Sequence, residues 1–503
     1  MSAEKVMPRL GPATLADLRA DVRRPRYDRA RLAVGMGHVG VGAFHRCHQA
    51  EYTDDALEAE FGPWGVVGIN IRAPRLADTL GAQDGLYVRT LRRGEETDLR
   101  VIGCIRQTID AEREIEAALE ALARPEISVV TLTVTEKGYC HRPATGRIDE
   151  ANPDIAHDLS EGAPPRSLPG VLVAALERRK ERGAGGLTLI SCDNIPANGR
   201  ILAAVVEEFA ARRAPDLLGW LADNVRFPST MVDRIAPATT GRDLALVAQA
   251  CGLEDRATVV GEPFRQWAIE DDFHGDRPCW EAGGAEFVHD VKAHELVKMR
   301  VLNGAQSTLA YLGALAGLET TYQDVGDPTL RGFVRQMLER ETAPGLPTNV
   351  GFDIGGYIAL TFERLSNSAI AHRNHQIATD GSQKIVQRIL NPTRDRISAG
   401  LSYDRLAAAA AAWMAYLCAA SPRFGARWTP DDPFADRIRG IADEIGPQFA
   451  ALADRIIALE SIFAADLGKN EAFRASVAGH LEAFLTGEPR RRLAMLAGEA
   501  AAG

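Results

Sequence analysis

Short β-branched runs alternate with helix-patterned stretches through the first 290 or so residues, and this alternation most restricts the fold. The runs "GHVGVG", "WGVVGIN", "ISVVTLTVT", "LTLISCDN" and "ATVVGEPF" read as strands. Between them lie helices such as "EREIEAALEAL" and "RILAAVVEEFAARR". Strands separated by helices of this length pair in parallel, because a parallel pair needs a long crossover. A sheet with helical crossovers is therefore expected. Beyond about residue 290 the β-branched runs nearly vanish. "HELVKMRVLNGAQSTLAYLGALAGL", "TLRGFVRQMLERE" and "DIGGYIALTFERLSN" carry helical spacing instead. "LAAAAAAWMAYLCAA" is too short and too rich in alanine for a membrane span and suits a close-packed internal helix. The reading is an α/β domain over 1–290 and a mostly α-helical domain over 291–503.

Composition narrows the function. The formal net charge of -10 argues against a nucleic-acid footprint. "PRRRLAML" is too short a basic run for a membrane or nucleic-acid surface and reads as a solvated helix end. "MSAEKVMPRL" lacks the apolar core of a secretory leader. The seven cysteines form no CxxC pair and are odd in number, which fits reduced cytoplasmic thiols and no zinc site.

"GHVGVGAFHRCHQAEYTDDAL" holds Gly40 and Gly42 between a strand and a helix that starts around Phe44. Such a turn lets a pyrophosphate approach backbone N–H groups, although it also serves as a plain turn. The third glycine of the usual fingerprint is replaced by His45. The second strand runs into Asn70, Arg72 and Arg75, with no acid before Asp78. An acid there would bind a ribose hydroxyl and an arginine would take a 2′-phosphate, so NAD and NADP both stay open. Three further strand ends gather polar groups: Glu136 with Lys137, Asp193 with Asn194, and Asp233 with Arg234. Singly, such residues are ordinary turn formers. Together with the helix near residue 298 they suggest a ligand cleft between two domains.

That helix contains "KMRVLNGAQS", with two poor helix formers, Asn303 and Gly304, side by side. On a uniform α-helix, Glu295, Lys298, Asn303 and Gln306 share an arc of roughly 140°. A desolvated lysine can serve as a base, and amide N–H groups can donate to a developing alkoxide. This is the equipment of a metal-free alcohol oxidation. His294, one turn before Lys298, reads as a structural histidine.

The segments "GVGAFHRCHQAEYTD", "TLTVTEKGYC", "SCDNIPANG", "TMVDRIAP", "EPFRQWAIEDDF", "KMRVLNGAQS" and "DGSQK" resemble, in order, those of the mannitol dehydrogenase family of polyol-specific long-chain dehydrogenases. The resemblance implies a Rossmann-type domain, a helical second domain, and nicotinamide-dependent, zinc-independent chemistry on a sugar alcohol or sugar acid by a monomeric enzyme, with NAD as the cofactor and NADP still open. Carried over by position, Lys298 is the general base and Asn194 and Asn303 flank the reacting oxygen. Glu295 relays the proton, while Asp233 and Lys384 bind substrate. Gly40, Gly42, Ala43, Phe44, Arg72 and Glu136 fall on the cofactor side. Within the family, "EKGYC" and "HRNHQIATDGSQKIVQRIL" resemble the fructuronate reductase branch, which interconverts D-fructuronate and D-mannonate. The mannitol branch carries arginine where this chain has Gln376. His372, Arg373 and Lys384 are the candidates for a substrate carboxylate. Gln306 departs from the family histidine and cannot titrate, which leaves a mannitol-type dehydrogenase, or a nucleotide-binding protein without catalysis, as alternatives.

Overall fold

The computed structural model describes residues 7–72, 75–142, 145–160, 162–347, 350–370, 372–487 and 489–497. The chain forms two compact units, Met1–Lys292 and Ala293–Gly503.

The first unit is built on six parallel strands: β1 (Val34–Val39), β2 (Gly65–Asn70), β5 (Ile105–Asp110), β6 (Val129–Leu132), β7 (Leu187–Ser191) and β8 (Val225–Arg226). They lie in the order β5-β2-β1-β6-β7-β8, every pair parallel. Counting only these six in chain order gives 3-2-1-4-5-6, the doubly wound order of dinucleotide-binding sheets. Successive side chains of a strand face opposite ways, and both faces here are covered. Val67, Ile69, Val130 and Leu189 enter a cluster with the helices Ile115–Ala123, Leu168–Arg182 and Asn198–Arg213. Val66, Val129 and Ile190 enter another with the helix Gln49–Ala59 and the buried Trp267 and Trp280. This double burial is why β2, β6 and β7 read as unbroken apolar runs.

Two smaller sheets depart from the expected single parallel one. β3 (Tyr87–Arg93) and β4 (Glu96–Ile102) form an antiparallel hairpin around Gly94, whose φ is +56°. β10 (Val259–Gly261), the core of "ATVVGEPF", pairs with β3 and so lies outside the crossover sheet. β9 (Thr230–Asp233) pairs antiparallel with β11 (Gln266–Glu270), which also pairs with β12 (Glu286–Val288). A β-branched run specifies a strand, and its neighbour is chosen by the tertiary packing.

The second unit is helical. Its centre is the helix Asp404–Cys418, buried from Leu406 to Cys418. The alanines bring its backbone close to the helices Gly304–Leu315 and Glu471–Leu485. A helix apolar all round is an interior helix. Among the described residues no helix is long and apolar enough to cross a membrane.

Among the described residues of this unit, three helices carry a wide turn closed by i→i+5 bonding: Met299–Asn303, Leu338–Thr342 and Val386–Leu390. Wide turns of this kind occur as single insertions in α-helices and concentrate at functional sites.

Candidate functional site

In the first unit a cavity of about 560 Å³ opens at the carboxyl ends of β1, β2 and β6. This is the switch point of the sheet, where helices leave neighbouring strands in opposite directions and a crevice must form. Gly40 has φ +92°, and a Cβ on it would fall 2.2 Å from the Thr133 carbonyl oxygen. Only glycine allows the exits of β1 and β6 to approach so closely. Gly42 caps the helix Ala43–Cys47, and its missing side chain leaves the cavity wall bare. The Asn70 amide oxygen accepts the Val41 N–H at 2.7 Å and holds the loop down. Bare glycine faces beside a capped helix start fit a pyrophosphate.

The missing third glycine has a physical counterpart. His45 stacks on His38 with ring centroids 3.3 Å apart and planes at 15°. His38 Nε2 lies 3.1 Å from the Gly40 carbonyl oxygen, and Nδ1 lies 2.7 Å from Thr131 Oγ1. Burial lowers His38 to about 3 and also moves His45 well down, so both rings are neutral. Two flat rings thus achieve the close helix–strand packing that a third glycine would allow. The short helix breaks at His48 and resumes as Gln49–Ala59. Phe44 stacks on His48 at 4.9 Å.

After β6 the backbone turns through Thr135 at φ +64°, a conformation that β-branched residues rarely adopt. Asp193 holds it there. Its two carboxylate oxygens accept the Val134 and Thr135 N–H groups at 3.0 and 2.9 Å, and Tyr139 OH donates at 2.7 Å. Burial pushes the Asp193 carboxyl up from its ordinary value, while these donors pull it back. Glu136 and Lys137 follow on the exposed turn, with Lys137 on the cavity wall. Asn194 is exposed on the loop between β7 and the helix Asn198–Arg213. The two residues at 193–194 therefore differ: Asp193 is half-buried and shapes the neighbouring turn, and Asn194 is exposed beside it.

Asp233 is buried at the end of β9. Arg234 points into a buried ion network, with Nη1 donating to Glu51 and Nε to the Glu262 carbonyl at 2.9 Å. Arg89 pairs with the other Glu51 oxygen at 2.8 Å, and the arginines hold Glu51 down at about 2. Arg234 is structural.

In the second unit Lys298, 7 % exposed, ends the helix Lys292–Lys298, and the wide turn Met299–Asn303 follows directly. The Gly304 N–H donates to the Met299 carbonyl five residues back. The arc drawn at a uniform 100° per residue therefore does not hold here. Residues five apart point about 140° apart on an α-helix. A turn with an i→i+5 bond stacks them instead, so the extra residue swings Asn303 back toward the Lys298 side. A Cβ on Gly304 would lie 3.4 Å from the Arg388 carbonyl oxygen, in ordinary contact. Clash avoidance thus does not explain this glycine, and the wide turn accounts for tolerating two poor α-helix formers. Asn303 is buried, Glu295 and Gln306 are half-buried, and His294 is buried near Phe352.

Sequence reasoning missed Arg388. It is buried on the wide turn Val386–Leu390, donates to Ser307 Oγ at 2.8 Å, and makes no ion pair among the described residues. Burial lowers Lys384 to about 8, with Arg388 adding to the effect. Lys384 Nζ donates to the Thr379 carbonyl, and burial followed by Lys384 lowers His372. Arg388 thus links Ser307 Oγ to the Asn303 carbonyl, while Lys384 feels the charge of Arg388 and His372 that of Lys384. Arg373 and Gln376 are exposed on the rim of the helix Asn374–Ala378.

Family models match both units: the mannitol dehydrogenase Rossmann domain over residues 35–282 and the mannitol dehydrogenase C-terminal domain over 290–485. The chain is 40% identical over 471 residues to the D-mannonate oxidoreductase of Escherichia coli, covering 92% of this chain and 96% of that one. It is 36% identical to a mannitol 2-dehydrogenase of Phaeosphaeria nodorum, over 99% and 88% of the two chains. Among solved structures, the Pseudomonas fluorescens mannitol 2-dehydrogenase in ternary complex with NAD and D-mannitol superposes with a TM-score of 0.86 at 33% identity, covering 98% of this chain and 100% of that one. The chain belongs to the mannitol dehydrogenase family of oxidoreductases.

Proposed function

We propose that the protein is an NAD-dependent dehydrogenase that interconverts D-fructuronate and D-mannonate. The observation that carries this reading is the 40% identity to a D-mannonate oxidoreductase along nearly the whole of both chains. The glycine-lined cavity at the switch point supports dinucleotide binding. Gly40, Gly42, Ala43 and Phe44 form the loop and helix start that would hold the pyrophosphate. Arg72 and Glu136 lie on the two strand ends beside it.

The bound nicotinamide supplies the hydride acceptor or donor. The chain supplies the proton chemistry and the positioning. Lys298 takes the hydroxyl proton in oxidation and returns it in reduction. Glu295, one helical turn earlier and half-buried, passes that proton toward water. The amides of Asn303 and Asn194 donate to the oxygen as charge develops on it, where such donors act most strongly. Asp233, Gln306, His372, Arg373, Gln376 and Lys384 are assigned to the substrate. A cationic region around Lys384 suits a uronate carboxylate, because charge-assisted hydrogen bonds are the strong ones.

A mannitol 2-dehydrogenase is the second reading, favoured by the match to the enzyme crystallised with D-mannitol. Assaying reduced-nucleotide oxidation with fructuronate, tagaturonate and fructose separates the two. A higher kcat/KM on fructuronate supports the first reading. Preference for fructose moves the assignment to the second, and no turnover on any ketose leaves a nucleotide-binding protein.

A further inference from the structure

In a sheet of this order the adenosine ribose meets the residues that follow β2. Here those are Ile71 and Arg72, and the Asn70 amide oxygen is already engaged by the Val41 N–H. Among the described residues that follow β2 no acid precedes Asp78, and Asp110 at the end of β5 is engaged by the Leu76 and Ala77 N–H groups. The carboxylate on this wall of the cavity comes from the distant segment after β6. Asp154 Oδ2 accepts from Arg72 Nη2, and Oδ1 forms an ion pair with Arg166 Nε at 3.0 Å. Arg166 is fixed further by Nη2 on the Pro153 carbonyl at 3.1 Å and by its own N–H on Asp158. The charged residues lining the cavity are Arg72, Lys137, Arg166 and Asp154, so one carboxylate stands among three cations.

We infer that Asp154 sets the nucleotide selectivity of this enzyme, occupying the Arg72–Arg166 guanidinium pair that would otherwise take a ribose 2′-phosphate. The inference rests on the dinucleotide reading above and goes beyond it. A 2′-phosphate needs the donors that Asp154 already binds, and it would face the like charge of that carboxylate. A free 2′-hydroxyl is uncharged and meets no such repulsion. The acid that usually discriminates lies on the strand end; here the same chemistry arrives from another segment, across two arginines. Arg72 therefore does not by itself signal NADP, because its guanidinium already faces Asp154.

The test uses the full-length protein and two readouts, nucleotide Kd by fluorescence titration and kcat/KM for NADH and NADPH. Asp154→Asn keeps the shape and removes the charge. The ratio of NADPH to NADH preference is expected to rise at least about tenfold by both readouts, the yield of one freed charge-assisted contact. Adding Arg72→Met to Asp154→Asn should take most of that gain away. Asp154→Ser provides a second removal of the charge if the asparagine variant folds poorly. Wild-type protein that binds NADPH as tightly as NADH overturns the inference. So does an Asp154→Asn protein that binds NADH with the ratio unmoved. If the wild type binds neither nucleotide, the dinucleotide reading fails and this inference falls with it.

Discussion

The two units place polar groups by different physical means. In the first, the candidate groups stand on loops after parallel strands, and the loops are held by local backbone devices: Gly40 at φ +92°, Thr135 at φ +64°, and Asn70 and Asp193 accepting loop N–H groups. In the second, Lys298, Asn303 and Arg388 are buried on helices, where the backbone groups are bonded within the helix. There the device is one extra residue, the wide turn Met299–Asn303, which redirects side chains without breaking the helix. Loop devices can be read locally and broken one at a time. A wide turn depends on everything packed around it, including the second wide turn that carries Arg388.

The largest effect should come from the helical unit. Lys298→Ala is expected to lower kcat by 10²–10⁴-fold, roughly the worth of a general base, while leaving nucleotide Kd within about threefold, because the proposed nucleotide loops lie in the other unit. Near-normal turnover in the folded variant would remove Lys298 from the chemistry.

Next, Gly40→Ala should damage the first unit. The new Cβ would meet the Thr133 carbonyl at 2.2 Å and force a left-handed backbone on alanine. A loss of about 1–3 kcal/mol in stability is expected, together with weakened NADH binding. Gly304→Ala in the helical unit should be mild by comparison, since its Cβ has room. Equal damage from both would break the contrast between loop and helix devices.

Asp193 and Thr135 form a pair that sharpens it. Asp193→Ala leaves two loop N–H groups without their acceptor and should cost about 1–3 kcal/mol. Thr135→Gly relieves the positive φ, so the same Asp193 change should cost less in a Thr135→Gly background. A double-mutant cycle in chemical denaturation measures the difference. Strict additivity would mean that Asp193 does not hold the strained turn.

The smallest effect is a pH dependence in the helical unit. Burial raises Asp324 to about 7, and Asn374 Nδ2 donates to it at 3.0 Å. Gly313 lets this pair in, since a Cβ there would fall 2.0 Å from Asp324 Oδ1. With the folded value above the unfolded one, the folded state holds the proton between about pH 4 and 7. Stability therefore falls as pH rises through that window and stays lower above it. Asp324→Asn should raise Tm at pH 8 relative to pH 5. A Tm difference independent of pH would show that the carboxyl does not titrate there.

Gly40, Gly42 and the parallel strands were legible in the sequence, because a left-handed turn and a doubly buried strand each demand particular residue types in place. The β3–β4 hairpin went unread: "RRGEETD" is a charged, exposed turn without the apolar alternation that marks a strand. The split between Asp193 and Asn194 was also invisible. Which of two neighbouring loop residues holds the turn at Thr135 depends on the exit of β6, far away in the chain. Arg388 gave no signal, since an arginine on a helix is ordinarily a surface residue.

By itself, the sequence determined the layer architecture, the glycine turn and the residue types available for chemistry. These follow from periodicity and backbone propensity, which act over a few residues. The tertiary structure decided what periodicity cannot carry. It put β10 beside β3, stacked His45 on His38 in place of a glycine, widened the helix after Lys298, and matched Asp154 to Arg72 across 82 residues of chain. Each of these depends on a partner distant in sequence. Its free energy comes from packing or charge pairing that exists only once the chain has closed upon itself.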